Sequence, residues 1–523
     1  MLRSLLADET TFVRIAELVT TRGLLAESSA ARVVALAEEL GRLRTAHALS
    51  ITDNPGGHPR IAPEALGSML KERGQEVIIH LTCKDRNRNG LESRAWTLAS
   101  AGFENLLCLS GDYPVAGYQG QAEPVFDIDS VALLQMLSQM NQGLPLPGSK
   151  PGVWPTLPPT RLLLGAVVSP FKQQERELMP QYLKLARKIT VGAEFVITQV
   201  GYDSRKLEEL LKYMALKQLH VPVIANVYVL TPAVARHFHR GAVPGVFLSD
   251  ALLALVEERA ASPDKGKRFF HELAAKQIAV ARGLGYRGAY LSGQLKPEDI
   301  HGIFALAGSF GPDDWQTFAR EIQFPRPDQF HFFEPDPGTG LNSTEIDSAY
   351  LSSLTPEARG ALRSRLPLIY KFSRAVHGRV FEEESAGFAA GRRLYARIDA
   401  SPTAKHWAHL AEQAIKGPMY DCHDCGDCSL PEIAYLCPES QCAKNQRNGP
   451  CGGSHQGICE AREKECIWAR AYERLKAYGE EERMLERPVV FRDGHLRDTS
   501  AWANTFLGRD HQRLSPPTQP RRG

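Results

Sequence analysis

The sequence predicts an α/β fold: a (β/α)8 TIM barrel followed by a small cysteine-rich metal-binding domain. Three observations predict it. Short apolar runs of β type alternate eight times with longer stretches at helical spacing between residues 13 and 307. No Gly-x-Gly-x-x-Gly loop follows the first run, where an open dinucleotide-binding sheet would carry one. Eight of the ten cysteines crowd between Cys422 and Cys466.

The strands read at 13–19, 46–52, 76–82, 105–110, 162–168, 195–200, 221–229 and 288–292. Their interiors are mostly apolar, as strands covered on both faces require. Helical periodicity fills the gaps at 31–43, 63–73, 91–101 and 176–189. The barrel is assigned to 12–308. A stretch with six prolines and three glycines, 142–160, reads as a long loop before the fifth strand. Gly, Pro, Asp and Ser enrichment makes 309–355 a linker. Helical patterns at 356–399, 404–415 and 467–485 frame the cysteines, giving a second domain over 356–490. The Arg- and Pro-rich end, 508–523, is expected to be a disordered tail. There is no internal repeat.

Composition bounds the function. Lys plus Arg number 62 and Asp plus Glu 60, a net charge of +2, so no overall field draws the chain to nucleic acid or to an anionic membrane. No apolar run reaches the roughly eighteen residues of a membrane span. The first ten residues lack the apolar core of a secretory signal, so a cytoplasmic chain is expected. Thiols stay reduced there, which favours metal binding over disulfides.

Cys422, Cys425 and Cys428 repeat at two-residue spacing, followed by Cys437-Pro438, Cys442, Cys451, Cys459 and Cys466. Eight sulfurs suit two four-ligand sites. The run is similar to bacterial ferredoxin ligation without its final spacing, and thiolates also suit zinc, so [4Fe–4S] clusters and zinc both stay open.

In a barrel of this class chemistry gathers at the C-terminal ends of the strands. Glu17, Thr52, Asp53, His80, Thr82, Asp112, Gln199, Asn226 and Tyr228 fall there. A buried polar group costs a few kcal/mol unless satisfied. One such residue is ordinarily structural; nine at one rim mark a site.

These residues carry a resemblance. Val77-Ile-Ile-His-Leu-Thr-Cys83, Asp85-Arg-Asn-Arg88 and Leu106-Leu-Cys-Leu-Ser-Gly-Asp-Tyr-Pro114 resemble the central signature of methylenetetrahydrofolate reductases. Glu17 with Arg22-Gly23, Gly192-Ala-Glu-Phe-Val-Ile-Thr-Gln199 and Val221-Pro-Val-Ile224 extend the likeness over about 12–308. The cysteine pattern, with Asn448-Gly-Pro-Cys-Gly-Gly453 and Cys466-Ile-Trp, resembles the cysteine-rich C-terminal domain associated with these reductases, here fused to the barrel.

The resemblance implies reduction of 5,10-methylenetetrahydrofolate to 5-methyltetrahydrofolate by hydride from reduced FAD. Glu17 matches the general acid that protonates a folate nitrogen as its ring opens. Asp112 matches an acidic residue beside flavin and folate, Gln199 a pterin contact, and Thr52, His80 and Lys188 FAD-binding positions. Departures exist: Leu18-Val-Thr-Thr21 replaces Phe-Phe-Pro-Pro, Ser110 replaces a cation before Gly-Asp, and Gln181 and Lys184 replace Asp and Asn before Lys188. These touch the FAD grip more than the folate chemistry. The donor, NAD(P)H or a reduced ferredoxin-type carrier, and the oligomeric state, a homo-oligomer included, stay open. The alternatives are a non-catalytic flavin- or folate-binding electron-transfer module and a pterin methyltransferase barrel. Glu17 and the Gly-Asp-x-Pro motif favour the reductase.

Overall fold

The computed structural model describes residues 1–145 and 155–512; part of the proline-rich loop and most of the expected tail lie outside that range. Eight strands close a parallel barrel: β1 Val13–Leu18, β2 Ala48–Ile51, β3 Val77–Thr82, β4 Asn105–Leu109, β5 Leu163–Val168, β6 Phe195–Thr198, β7 Val223–Tyr228 and β8 Gly288–Ser292. Each pairs in parallel with its neighbours in sequence, and β8 returns to β1 through Val13↔Gly288. The limits fall within two residues of those read from the apolar runs.

Alternation along the strands sets what points inward. Val13, Ile15, Ile78, Leu107, Leu163, Phe195, Ile197, Ile224 and Tyr290 fill the barrel's interior. Leu2 and Leu6, on the N-terminal helix Leu2–Ala7, pack into the same cluster. That helix sits at the N-terminal ends of the strands, since the Leu2 backbone N–H donates to Glu76 just ahead of β3. Continuing the inward phase along β1, β3 and β6 places Glu17, His80 and Gln199 at the opposite end.

The expected linker is folded instead. A helix at Asp314–Glu321 and an antiparallel hairpin, β9 Phe333–Asp336 and β10 Leu341–Ile346, occupy it. The segment is pinned to the barrel helix Ser204–Leu216. Fully buried Glu209 accepts from the Phe332 N–H at 2.6 Å, the Lys206 ammonium at 2.8 Å and the Tyr182 hydroxyl at 2.9 Å. Asn342 accepts from the Arg205 guanidinium and donates to Glu208. Turn-forming composition marked the hairpin's bends, not a free linker.

The C-terminal region runs through helices Leu368–Val376, Ala386–Asp399 and Pro402–Tyr420, an irregular cysteine segment, and helix Ile467–Lys476. It extends past the expected limit at 490. Phe506, on the helix Ala501–Phe506, packs with Phe388 and Tyr395. His511 is buried against Asp427, and its imidazole donates to the carboxylate at 2.5 Å, so the chain is packed through 512 rather than free from 508. The two regions also share one core: Ile467, Trp468, Tyr472 and Leu475 belong to the same buried apolar cluster as Leu178, Tyr182 and Leu185 of the barrel helix α1, Glu175–Thr190. Among the described residues no helix is long and apolar enough to cross a membrane.

Candidate functional site

A cavity of about 220 Å³ opens at the C-terminal ends of the strands. Eight of the nine rim residues singled out above line it: Glu17, Thr52, Asp53, His80, Thr82, Asp112, Gln199 and Asn226. Lys188 lines it too. Tyr228 does not, its ring packing edge-on against Phe238 with centroids 5.1 Å apart.

Glu17 ends the inward row of β1 beneath the cavity. The Tyr290 hydroxyl donates to its Oε2 at 2.9 Å. Burial raises the carboxyl pKa and the Tyr290 hydrogen bond opposes that rise. The outcome is a carboxylic acid that holds its proton above the ordinary Glu range. On β3, burial lowers the His80 pKa to about 4, so the ring is neutral near pH 7, 2.9 Å from the Ser50 hydroxyl. Asp53 is held by three donors: the Thr82 N–H, the Thr82 hydroxyl at 2.8 Å and the buried Arg94 guanidinium at 2.9 Å. Arg94 also pairs with Glu64 at 2.6 Å. Asp53 is thereby a framework charge. Asp112, by contrast, has one backbone donor, the Gly56 N–H at 2.7 Å, and stays partly exposed at the cavity edge. The Gln199 side-chain carbonyl accepts from the Val200 N–H at 2.9 Å.

The roof comes from the C-terminal domain. Lys444, Cys451, Gly452, Gly453 and Glu460 line the same cavity. Lys444 is buried, ion-pairs with Glu460 and donates to the Gly111 carbonyl at 2.9 Å, one residue from Asp112. Asp129 fastens this roof. One of its oxygens caps the helix Ser130–Gln142 through the Val131 and Ala132 N–H groups; the other accepts from the Arg447 and Asn448 N–H groups at 3.2 and 2.7 Å. Lys172 donates to the Gly452 and Ser454 carbonyls, both at 2.5 Å. Sequence reasoning missed Tyr290 and the entire roof. Tyr290 was legible as the inward residue of β8; the roof depends on packing between segments some 300 residues apart.

The cysteines fall into two neighbourhoods. Cys422, Cys425, Cys428 and Cys437 line a chamber of about 20 Å³. Burial raises the Cys422 and Cys428 thiols, Lys416 opposes the rise, and the nearby cysteine charges come from this same four. Burial likewise raises Cys442 and Cys466, each to about 12, with cysteine neighbours drawn only from 442, 451 and 459. Among the described residues no three Cys, His, Asp or Glu side chains stand in a ready ligating arrangement. The donor set, two groups of four thiols, suits a soft metal.

Residues 28–278 match the family described as methylenetetrahydrofolate reductase, and residues 401–494 the family described as methylene-tetrahydrofolate reductase C terminal. No curated protein matches the chain in sequence. Among solved structures, an uncharacterised protein from Clostridium thermocellum that binds two copies of 5-methyl-5,6,7,8-tetrahydrofolic acid matches at 16% identity, over 58% of this chain and 97% of that one, with a TM-score of 0.38. An EDTA monooxygenase from Chelativorans sp. BNC1 matches at 10% identity, over 60% and 95%, with a TM-score of 0.35. With the family's barrel and its C-terminal domain in one polypeptide and the rim residues gathered in one cavity, the chain belongs to the methylenetetrahydrofolate reductase family.

Proposed function

We propose that the chain reduces 5,10-methylenetetrahydrofolate to 5-methyltetrahydrofolate in the roofed cavity. The observation that carries this is Glu17: a proton-holding carboxylic acid on the floor of a cavity that Asp112 and Gln199 also line. The acid's Oε2 takes the Tyr290 hydrogen bond, which leaves its other oxygen to deliver a proton. Protonating the bridging folate nitrogen breaks its bond to the one-carbon unit and leaves an iminium carbon ready for hydride. The Asp112 carboxylate, held by one backbone donor at the cavity edge, would stabilise that cation electrostatically. Gln199 keeps its amide N–H₂ to offer a pterin.

The family's hydride source is a flavin. Thr52, His80, Asp112 and Lys188 line the cavity and would hold it there, Lys188 toward the ribose–phosphate side. Neutral His80 offers a ring without charge. Burial, reinforced by the neighbouring Lys184, lowers Lys188 to about 7, so its charge is readily lost near neutral pH. When bound, the flavin supplies two electrons and a proton equivalent as hydride. The cysteine groups would hold iron–sulfur clusters or zinc, and NAD(P)H or a ferredoxin-type protein would be the ultimate donor.

The test is anaerobic. Full-length protein, 5,10-methylenetetrahydrofolate and viologen reduced by dithionite should yield 5-methyltetrahydrofolate, measured by chromatography. Glu17→Gln should lower that rate by about 10²–10⁴-fold, the usual worth of a general acid, while flavin reduction stays within a factor of two. Equal loss in both half-reactions would make Glu17 structural. No product from the wild type would leave a binding module.

A further inference from the structure

The helix α1 carries the positions that, by resemblance, grip the far half of FAD, and every cation on that stretch is already spent. Lys184 is buried and its ammonium donates to the Gln446 side-chain carbonyl at 3.1 Å and to the Gly449 and Pro450 carbonyls, both at 3.0 Å. Arg187, one turn on, donates to the Met484, Arg487 and Pro488 carbonyls at 3.2, 2.8 and 2.6 Å. Lys188 turns inward to the Val167 carbonyl at 2.7 Å. All these acceptors but Val167 belong to the C-terminal domain. None of these three cations is left for a diphosphate; on this face the Gln181 amide, which lines the cavity, keeps an unpaired N–H₂.

The covering segment is not loosely laid. Gln446 is fully buried, accepts from Ser110 at 3.0 Å through its side chain, and from the Trp468 indole N–H at 3.1 Å through its backbone. Asp129 clamps the next two residues from below. Gly449 lies at φ +121, and a Cβ there would stand 2.8 Å from Lys184 Cδ, so segment and helix touch backbone to side-chain stem. What remains open at the barrel mouth is the 220 Å³ cavity.

We propose that the barrel mouth takes a flavin without the adenylate, of the riboflavin 5′-phosphate class, because segment 446–454 of the C-terminal domain stands where the adenylate half of FAD would lie. The proposal rests on the flavin reading above. It deepens that reading by naming the form of the group and assigning a second task to the cysteine-rich domain: it forms the wall that selects the ligand's length.

The experiment is equilibrium binding of riboflavin 5′-phosphate and of FAD to flavin-free full-length protein, followed by flavin fluorescence. Riboflavin 5′-phosphate should bind at least tenfold more tightly than FAD, and flavin released by heating protein as isolated should contain no adenine. FAD binding as tightly or more tightly would overturn the proposal and leave the reductase reading intact. Binding of neither flavin would overturn both. Lys184→Met, which withdraws three donors from the segment, should narrow the preference at least threefold. An unchanged preference in a variant that still binds riboflavin 5′-phosphate would show that the segment is not what discriminates.

Discussion

Lys184→Met tests whether the C-terminal domain is built into the barrel mouth. Methionine keeps the unbranched stem that packs against Gly449 and removes only the ammonium. Three acceptors, all 3.0–3.1 Å from Nζ, lose this hydrogen bond: two backbone carbonyls are left unpaired, while the Gln446 side-chain carbonyl keeps Ser110. Each hydrogen bond to a charged group is worth about 1.5–3 kcal/mol net. The gross loss is offset because the variant no longer buries a charge, and burial is the dominant influence lowering the Lys184 pKa. Two buried backbone carbonyls left unpaired, at about 1–3 kcal/mol each, set the scale. A net loss of about 2–4 kcal/mol corresponds to roughly 30- to 700-fold more frequent opening of the segment. Hydrogen exchange read by mass spectrometry on the intact protein measures it: amides across 446–454 should lose protection by that factor, while those of β6 should not change. Protection of 446–454 within threefold of the wild type would refute the reasoning, and equal losses in both regions would show global rather than local destabilisation.

Three further outcomes follow from the same contacts. Because Glu17 must be protonated to act and its folded pKa is raised, methylenetetrahydrofolate reduction should fall as pH rises through that value. Tyr290→Phe, by removing the bond that favours the charged form, should move the falling limb to higher pH; an unmoved limb would reassign the proton donor. Arg94→Met strands the Asp53 carboxylate in the core and should cost about 3–5 kcal/mol in thermal unfolding, with partial recovery in the Asp53→Asn, Arg94→Met double variant. Elemental analysis of Cys425→Ser and Cys451→Ser should show each losing one of two metal sites. Only Cys451→Ser, whose residue lines the cavity, should also weaken flavin binding; parallel effects from Cys425→Ser would contradict that division.

Much of this was legible because eight short apolar runs alternating with helical stretches are a strong barrel signal, and function gathers at one end of such strands. Glu17, His80 and Gln199 are polar residues in the inward phase of apolar strands, and the barrel brings them to one end. Lys188, singled out only through the resemblance, lines the cavity, but its ammonium turns to Val167, which no spacing rule foretells. The hairpin over 333–346 was misread because a Gly-, Pro- and Asp-rich stretch looks the same whether its turns connect strands or nothing. Its strands are short and half exposed, so they lack the apolar run that marked the barrel. His511 was taken for tail because a single buried histidine has no pattern; only its partner Asp427, 84 residues earlier, explains it.

The departures at Ser110 and on α1 acquire a common cause in the docked domain. Ser110 stands where the family carries a cation, and its hydroxyl donates to Gln446. Lys444 enters from the other domain to donate to the adjacent Gly111 carbonyl. Lys184, in place of a neutral Asn, supplies the positive donor that three carbonyls of the docked segment require. Asp129 performs a local task, capping a barrel helix, with one oxygen and a long-range task with the other. These substitutions create handles for a protein wall, and each alone would leave a buried polar group unpaired at a cost of about 1–3 kcal/mol. The residues that look degenerate beside the family pattern form one interface, so opening of segment 446–454 is expected to weaken ligand binding in the barrel mouth even where the barrel stays folded.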